Sequence, residues 1–115
     1  MPASRSSKTR KPALLPDPAA MRAHAGDAAR LLKTIANEKR LQVLCLLAEG
    51  ERSVGELNAQ LDLSQSALSQ HLALLREDGL VHTRREAQTI LYSVAPGPVQ
   101  QVLRTLHAIY CGGGR

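Results

Sequence analysis

The chain of 115 residues contains no tryptophan, no phenylalanine and only two tyrosines, so any hydrophobic core must be aliphatic. No apolar run approaches the ~18 residues that a membrane-spanning helix requires, and the basic N-terminus lacks the apolar segment of a secretory signal. With only two cysteines, we expect no permanent structural disulfide in a reducing compartment. These absences favour one small cytoplasmic domain with a core of leucine, valine and alanine.

The net charge of +5 is concentrated at the N-terminus. Residues 1–16 carry four basic side chains and no acidic one, which leaves 11 basic residues against 10 acidic residues in the rest of the chain. Their serine, proline and basic composition predicts a disordered arm, which either touches DNA phosphate or is simply solvated. We expect a folded domain over residues 17–111 and a flexible tail over residues 112–115.

The segment from Ser53 to Arg76 predicts two short helices joined by a tight turn. Ser53 and Glu56 have the spacing of a capping box at the start of the first helix, and Ser64 is placed to cap the second. Short uncharged side chains on the outer face of the second helix suit contacts to base edges in the major groove. These candidate base contacts are Gln65, Ser66, Ser69 and Gln70. The alternative is two amphipathic helices with ordinary polar outer faces.

Two more helices are predicted before this segment. Asp17 is placed to cap a helix that ends near Ile35, and Asn37 to cap another that runs from residue 38 to 49. The second of these helices is so apolar that we expect it to be buried nearly all round, with Cys45 enclosed by hydrophobic side chains.

A β-hairpin is predicted directly after the second helix of the pair. Residues 80–85 and 88–94 have the β-branched and aromatic content of strands, with Glu86-Ala87 as the turn. Arg84 and Arg85 near the turn are candidate contacts to the DNA backbone or minor groove. The alternative for these two arginines is a solvated hairpin tip.

The last predicted helix, over residues 99–110, has a wide apolar face. Together with a first helix whose apolar residues are mostly alanine, it offers more hydrophobic surface than one small domain buries. We therefore expect a homodimer through the first and last helices. The two-fold symmetry of such a dimer calls for a roughly palindromic operator in double-stranded DNA. The predicted fold class is mostly α with a small β-hairpin, a winged helix-turn-helix of order α-α-α-α-β-β-α.

This order of elements resembles the ArsR family of winged-helix repressors over residues 18–111. The stretches LLKTIANEKRLQVLCLL and LSQSALSQHLALLREDGLV are similar to the family segments that precede and contain the recognition helix. The resemblance implies a dimeric transcriptional repressor that leaves its operator when an inducer acts. The residues offer no catalytic set of nucleophile, base and orienting group, so we expect neither an enzyme nor a cofactor.

The metal-sensing members of the family carry two cysteines in a motif resembling E-L-C-x-C. This chain has Glu56-Leu57-Asn58-Ala59-Gln60 there, and a second family site on the last helix is reduced to His107. Because zinc takes about four ligands, no metal site is expected. Metal sensing stays an alternative function, as does a winged helix that contacts only proteins.

The two cysteines, Cys45 and Cys111, resemble instead those of the thiol-switch branch of the family typified by BigR and SqrR. Those repressors respond to persulfides or oxidants by linking their cysteines, so the resemblance implies an operator affinity set by the state of Cys45 and Cys111. His107, one helical turn earlier, would favour a thiolate at Cys111 if protonated. The alternative is a small core residue at Cys45 and an incidental thiol at Cys111. The residues do not rank persulfide, peroxide and electrophile as inducers.

Overall fold

A computed structural model describes residues 17–112, so the predicted arm over residues 1–16 and the end of the predicted tail lie outside the described residues. The chain divides into two compact units, one up to Arg30 and one from Leu31 onward. No helix within the described part of the chain is long and apolar enough to cross a bilayer.

The first two helices begin where their capping residues predict. Helix α1 spans Pro18–Ile35, and the backbone N–H of Ala19 donates to Asp17 Oδ1 at 3.0 Å. Helix α2 spans Glu38–Glu49, and Asn37 Oδ1 accepts from the backbone N–H of Arg40 at 3.0 Å. Both caps satisfy amides that a helix start leaves without partners.

The helix-turn-helix is confirmed as α3, Val54–Gln60, and α4, Gln65–Glu77. Both halves of the predicted capping box are present, because Ser53 Oγ accepts from Glu56 N at 3.1 Å and Glu56 Oε1 accepts from Ser53 N at 2.8 Å. Ser64 caps α4 by accepting from Ala67 N at 3.1 Å. The turn between the helices is held by Asn58, whose amide donates to the Leu63 carbonyl at 2.8 Å.

The wing is a three-stranded antiparallel sheet rather than the two-stranded hairpin predicted. Strand β3 (Thr89–Val94) is the central strand. It pairs on one side with β1 (Arg52–Ser53) and on the other side with β2 (Val81–Glu86). The sequence does not predict β1, because two residues are too few to show an alternating pattern. Its backbone joins the chain just before α3 to the wing.

The turn of the hairpin lies one residue later than predicted, at Ala87-Gln88. Thr89 faces Glu86 across the strands, so Glu86 belongs to β2. Ala87 has a φ of 59°, the left-handed conformation that tight hairpin turns require and that glycine adopts more readily.

The last helix, α5, spans Pro98–Tyr110 and packs on an aliphatic core, as the composition predicts. The completely buried side chains come from the helix-turn-helix, from α2 and from strand β2: Val43, Leu44, Leu57, Leu68, Leu72, Leu75 and Val81. The core therefore fixes the recognition helix α4 through three leucines on one face.

The prediction that α2 is buried nearly all round, with Cys45 enclosed, is wrong. Val43, Leu44 and Leu47 are buried, but Cys45 and Ala48 are exposed. A helix at the surface of a small domain turns only one stripe toward the core, and the apolar residues of the opposite face remain accessible. Cys45 therefore has access to solvent.

Candidate DNA-binding face and thiol site

The four candidate base contacts lie together on the accessible side of α4. Each is exposed: Gln65, Ser66, Ser69 and Gln70. They occupy the first two turns of the helix, while Leu68, Leu72 and Leu75 bury the opposite face. The folding of α4 thus leaves a row of uncharged hydrogen-bonding side chains at its N-terminal end, the geometry with which a recognition helix enters a major groove.

A polar cluster that the sequence did not reveal ties α4 to the first two helices. Arg40 Nε donates to the Thr34 carbonyl at 2.7 Å, and its guanidinium lies 3.5 Å from His71 Nδ1 on α4. The Thr34 hydroxyl donates to Asp78 at the end of α4. Burial, and next the charge of Arg40, lower the pKa of His71, so that its neutral ring can accept a hydrogen bond. These contacts join α4 to α1 and α2, and they leave the exposed candidate base contacts of α4 unoccupied.

The two wing arginines differ in their surroundings. Arg84 donates from Nε and a terminal nitrogen to the two carboxylate oxygens of Glu51, at 2.7 and 2.8 Å, and lies 3.7 Å from Glu86. The hydrogen bond from Arg84 lowers the pKa of Glu51. Arg85 is exposed and makes no ion pair within residues 17–112. Arg85 is therefore the more available of the two cations.

Three consecutive residues, Glu51, Arg52 and Ser53, join the end of α2 to helix α3 and the wing. Arg52 donates to the Leu46 carbonyl at 3.2 Å and to Glu49 at 2.7 Å, while its backbone pairs with the wing in β1. Glu51 holds the wing through Arg84, and Ser53 caps α3. We call residues 51–53 the junction. No periodic signal in the sequence identifies it, since the bond between Glu51 and Arg84 spans 33 residues.

Both cysteines are free thiols and both are exposed. Cys45 lies in the middle of α2, and Cys111 directly follows α5, where its backbone N–H donates to the His107 carbonyl at 2.7 Å. The pKa of the Cys45 thiol is raised, first by partial burial against its neighbours and then by electrostatic interaction with Cys111 and Glu49. Cys45 and Gly112, the residue after Cys111, line the same surface hollow, so the two thiols belong to one local site.

An open hollow of about 690 Å³ lies between α2 and α5 beside this site. Its lining includes Cys45, Ala48 and Glu49 from α2, and Leu103, Arg104 and His107 from α5. Gly112, the residue after Cys111, also borders it. Within residues 17–112, no group of three or more His, Cys, Asp or Glu side chains is arranged to hold a metal ion.

An exposed recognition helix, a wing and an aliphatic core beneath them define a winged helix-turn-helix, the fold of DNA-binding transcriptional regulators. Residues 37–83 match the family model for bacterial regulatory proteins of the arsR family. With the relatives described next, this match shows that the chain belongs to the ArsR family.

The similarity to known proteins covers most of the chain. The transcriptional activator HlyU of Vibrio cholerae is 55% identical over 91 residues, which cover 79% of this chain and 84% of HlyU. A solved structure of the transcriptional repressor BigR from Xylella fastidiosa is 41% identical with a TM-score of 0.78, covering 84% of this chain and 98% of that one. The homodimeric winged helix-turn-helix domain of Mb0332 from Mycobacterium bovis is 33% identical with a TM-score of 0.68, covering 77% and 83%.

Proposed function

We propose that this chain is a homodimeric repressor whose operator affinity falls when Cys45 and Cys111 become linked. The observation that carries this proposal is the pair of exposed thiols, one in α2 and one at the end of α5, of which Cys45 and the residue after Cys111 line the same hollow. Two accessible thiols on different elements allow a covalent link that changes how those elements pack. BigR, which is named a repressor, and HlyU, which is named an activator, are both similar over most of the chain.

The linking chemistry balances with either class of oxidant. With peroxide, one thiolate attacks oxygen to give a sulfenic acid, and the second thiolate displaces hydroxide from that sulfur, so two thiols and one peroxide give a disulfide and two waters. With a polysulfide, the two thiols give up two electrons and two protons to one sulfane sulfur, which leaves as hydrogen sulfide, while further sulfane sulfur atoms insert between the cysteines. Inserted sulfur lengthens the link and reduces the movement it requires of the helices.

The junction supplies a route from the thiols to the DNA-binding face. Arg52 bonds to the turn of α2 that follows Cys45, through the Leu46 carbonyl and Glu49, and its backbone is part of the wing sheet. A link between Cys45 and Cys111 that shifts α2 would therefore shift β1 and the start of α3. A coupling of about 1–3 kcal/mol would change operator affinity roughly 5- to 150-fold.

Exposed apolar side chains on the first and last helices support the proposed homodimer. On α5, Ile109 and Tyr110 are 62% and 80% exposed, and on α1, Leu32 is 55% exposed. Large hydrophobic side chains left in water on two helices are typical of a surface covered by a second copy. Mb0332, a member of the same fold, is described as a homodimer.

In the proposed complex, the exposed residues at the start of α4 contact base edges, and those residues are Gln65, Ser66, Ser69 and Gln70. Arg84 and Arg85 contact the DNA backbone. Arg85 is free to do so as it stands, whereas Arg84 must first exchange its Glu51 partner for phosphate.

The proposal is tested by operator binding at fixed salt, with intact mass measured on the same samples. Wild-type protein, Cys45→Ser and Cys111→Ser are each treated with polysulfide, peroxide or diamide. We expect all three reduced proteins to bind DNA, and only the wild type to release it, with both cysteines linked within one chain. A transcription assay on the same operator tests whether binding represses.

Each other outcome indicates a different mechanism of regulation. Release by both serine variants would rule out the two-thiol switch, and release by stoichiometric zinc or copper in untreated protein would indicate a metal sensor. Equal release by peroxide and diamide, with loss of two hydrogens per chain, would indicate general redox sensing. Sulfur gain with release only by polysulfide would indicate a sensor of reactive sulfur.

A further inference from the structure

The hollow beside Cys45 combines a thiol with a specific arrangement of charges. Gln100, Leu103, Arg104 and His107 follow one another along one face of α5, at the spacings that place side chains on the same side of a helix. They line the hollow together with Cys45 on α2. At about 690 Å³, the hollow has the size of sites that bind small molecules.

The positive charge in the hollow is available, and the negative charge is partly neutralised. Arg104 is exposed and has no hydrogen bond or ion pair with any residue between 17 and 112. An arginine guanidinium is a cation that presents five N–H donors. Glu49, the carboxylate in the hollow, accepts a hydrogen bond from Arg52 at 2.7 Å. An anion that enters therefore meets a cation without a partner and a carboxylate that already has one.

We propose that this hollow is a binding site for small, carboxylate-bearing, thiol-reactive molecules, in which Arg104 binds the carboxylate and directs the reactive atom toward Cys45. His107 and Gln100 supply further polar groups for the same anion, and Leu103 contacts the apolar part of the molecule. The site rests on the proposed thiol switch for its biological use, because it would select which molecules modify Cys45. Arg104 is here a specificity-determining residue.

The test compares alkylation of Cys45 by iodoacetate and by its neutral analogue iodoacetamide, in the full-length Cys111→Ser protein. In both reactions the thiolate displaces iodide from carbon, so the same bond forms and iodide leaves. The ratio of the two rates cancels any change in the fraction of Cys45 present as thiolate. We expect Arg104→Gln to lower the ratio of iodoacetate to iodoacetamide rates about fivefold at low salt, the factor expected for one charge at close range in water.

Two further variants make the result specific. Arg76→Gln removes the same charge from an exposed position outside the hollow and should leave the ratio unchanged. Glu49→Gln removes the opposing charge within the hollow and should raise the ratio. In the Cys111→Ser protein with Arg104 intact, the ratio should also fall toward that of Arg104→Gln as salt is added.

An unchanged ratio in Arg104→Gln, or an equal decrease in Arg76→Gln, would overturn the proposal. The measurement involves no DNA and uses protein that lacks the second cysteine. If operator affinity does not change when the thiols are modified, the proposed thiol switch fails, but the ratio of alkylation rates is unaffected. Conversely, a switch that works while the rate ratio is insensitive to Arg104 would refute only the site.

Discussion

Replacement of Arg40 by methionine should loosen the recognition helix from the rest of the domain. Arg40 donates to the Thr34 carbonyl at 2.7 Å and lies 3.5 Å from His71 Nδ1, in a partly buried position. Methionine keeps an apolar side chain of similar length and removes the donors, leaving the Thr34 carbonyl without this partner. Because hydrogen bonds from charged donors contribute about 1.5–3 kcal/mol, we expect Arg40→Met to reduce the free energy of unfolding by about 2 kcal/mol.

Urea denaturation measures this loss directly. With a slope of about 1–3 kcal/mol per molar urea for a small domain, the midpoint should fall by about 1 M. Arg76→Met makes the same chemical change on an exposed part of α4 and should leave the midpoint nearly unchanged. Equal midpoints for Arg40→Met and Arg76→Met would refute the role of the buried contacts. Operator affinity of folded Arg40→Met should also fall, since α4 loses one of its attachments.

The same cluster has a defined dependence on pH. The pKa of His71 is lowered in the folded protein, mainly by burial and then by Arg40, from an ordinary value of 6.5. The unfolded chain therefore binds the proton more tightly, so stability is greatest above 6.5 and falls as the pH drops below it. In Arg40→Met this decrease should be weaker but still present, because burial is the larger cause.

Three other predictions concern the wing. Ala87→Gly should raise the melting temperature, because at a φ of 59° glycine relieves about 1 kcal/mol of backbone strain beyond the entropy that it costs. A lower melting temperature in Ala87→Gly would contradict this. Arg85→Gln should reduce the slope of log operator affinity against log salt by about one. Arg84→Gln should reduce this slope by less, because Glu51 already neutralises Arg84. Equal changes in the two variants would count against this difference. The pKa of Glu51 in the folded protein should lie below the ordinary glutamate value of 4.5. The contribution of Glu51 to stability is therefore present above pH 4.5 and is lost as the pH falls through the folded pKa. Carboxyl NMR should show that the lowered pKa returns to its ordinary value in Arg84→Gln.

The parts of the fold that the sequence predicts are those fixed by neighbours three or four residues apart. The caps at Asn37, Ser53 and Ser64 each bond to an amide three residues ahead, so their residue types and spacing identify the helix starts. The exposed face of α4 follows from the same helical period. The predicted hairpin agrees with the structure to within one residue. The predicted turn differs because Ala87 is not a residue typical of a left-handed turn.

The candidate thiol site was only partly predictable. The sequence identified Cys45 and Cys111 as the two thiols, but an apolar helix does not show which of its faces the core covers. The sequence therefore predicts an enclosed Cys45, whereas the structure exposes it. The hollow and its unpaired Arg104 arise only when α2 and α5 lie side by side.

The aliphatic core, the order of helices and strands, and the uncharged face of the recognition helix follow from residue type and short-range spacing, and the sequence predicts them. Which distant polar side chains meet depends on the packing of the whole domain. Arg84 and Glu51 are 33 residues apart, Arg40 and His71 are 31 apart, and Thr34 and Asp78 are 44 apart. Such pairs depend on how whole elements pack, and a hydrogen bond of a few ångströms between distant residues leaves no periodic pattern in the chain.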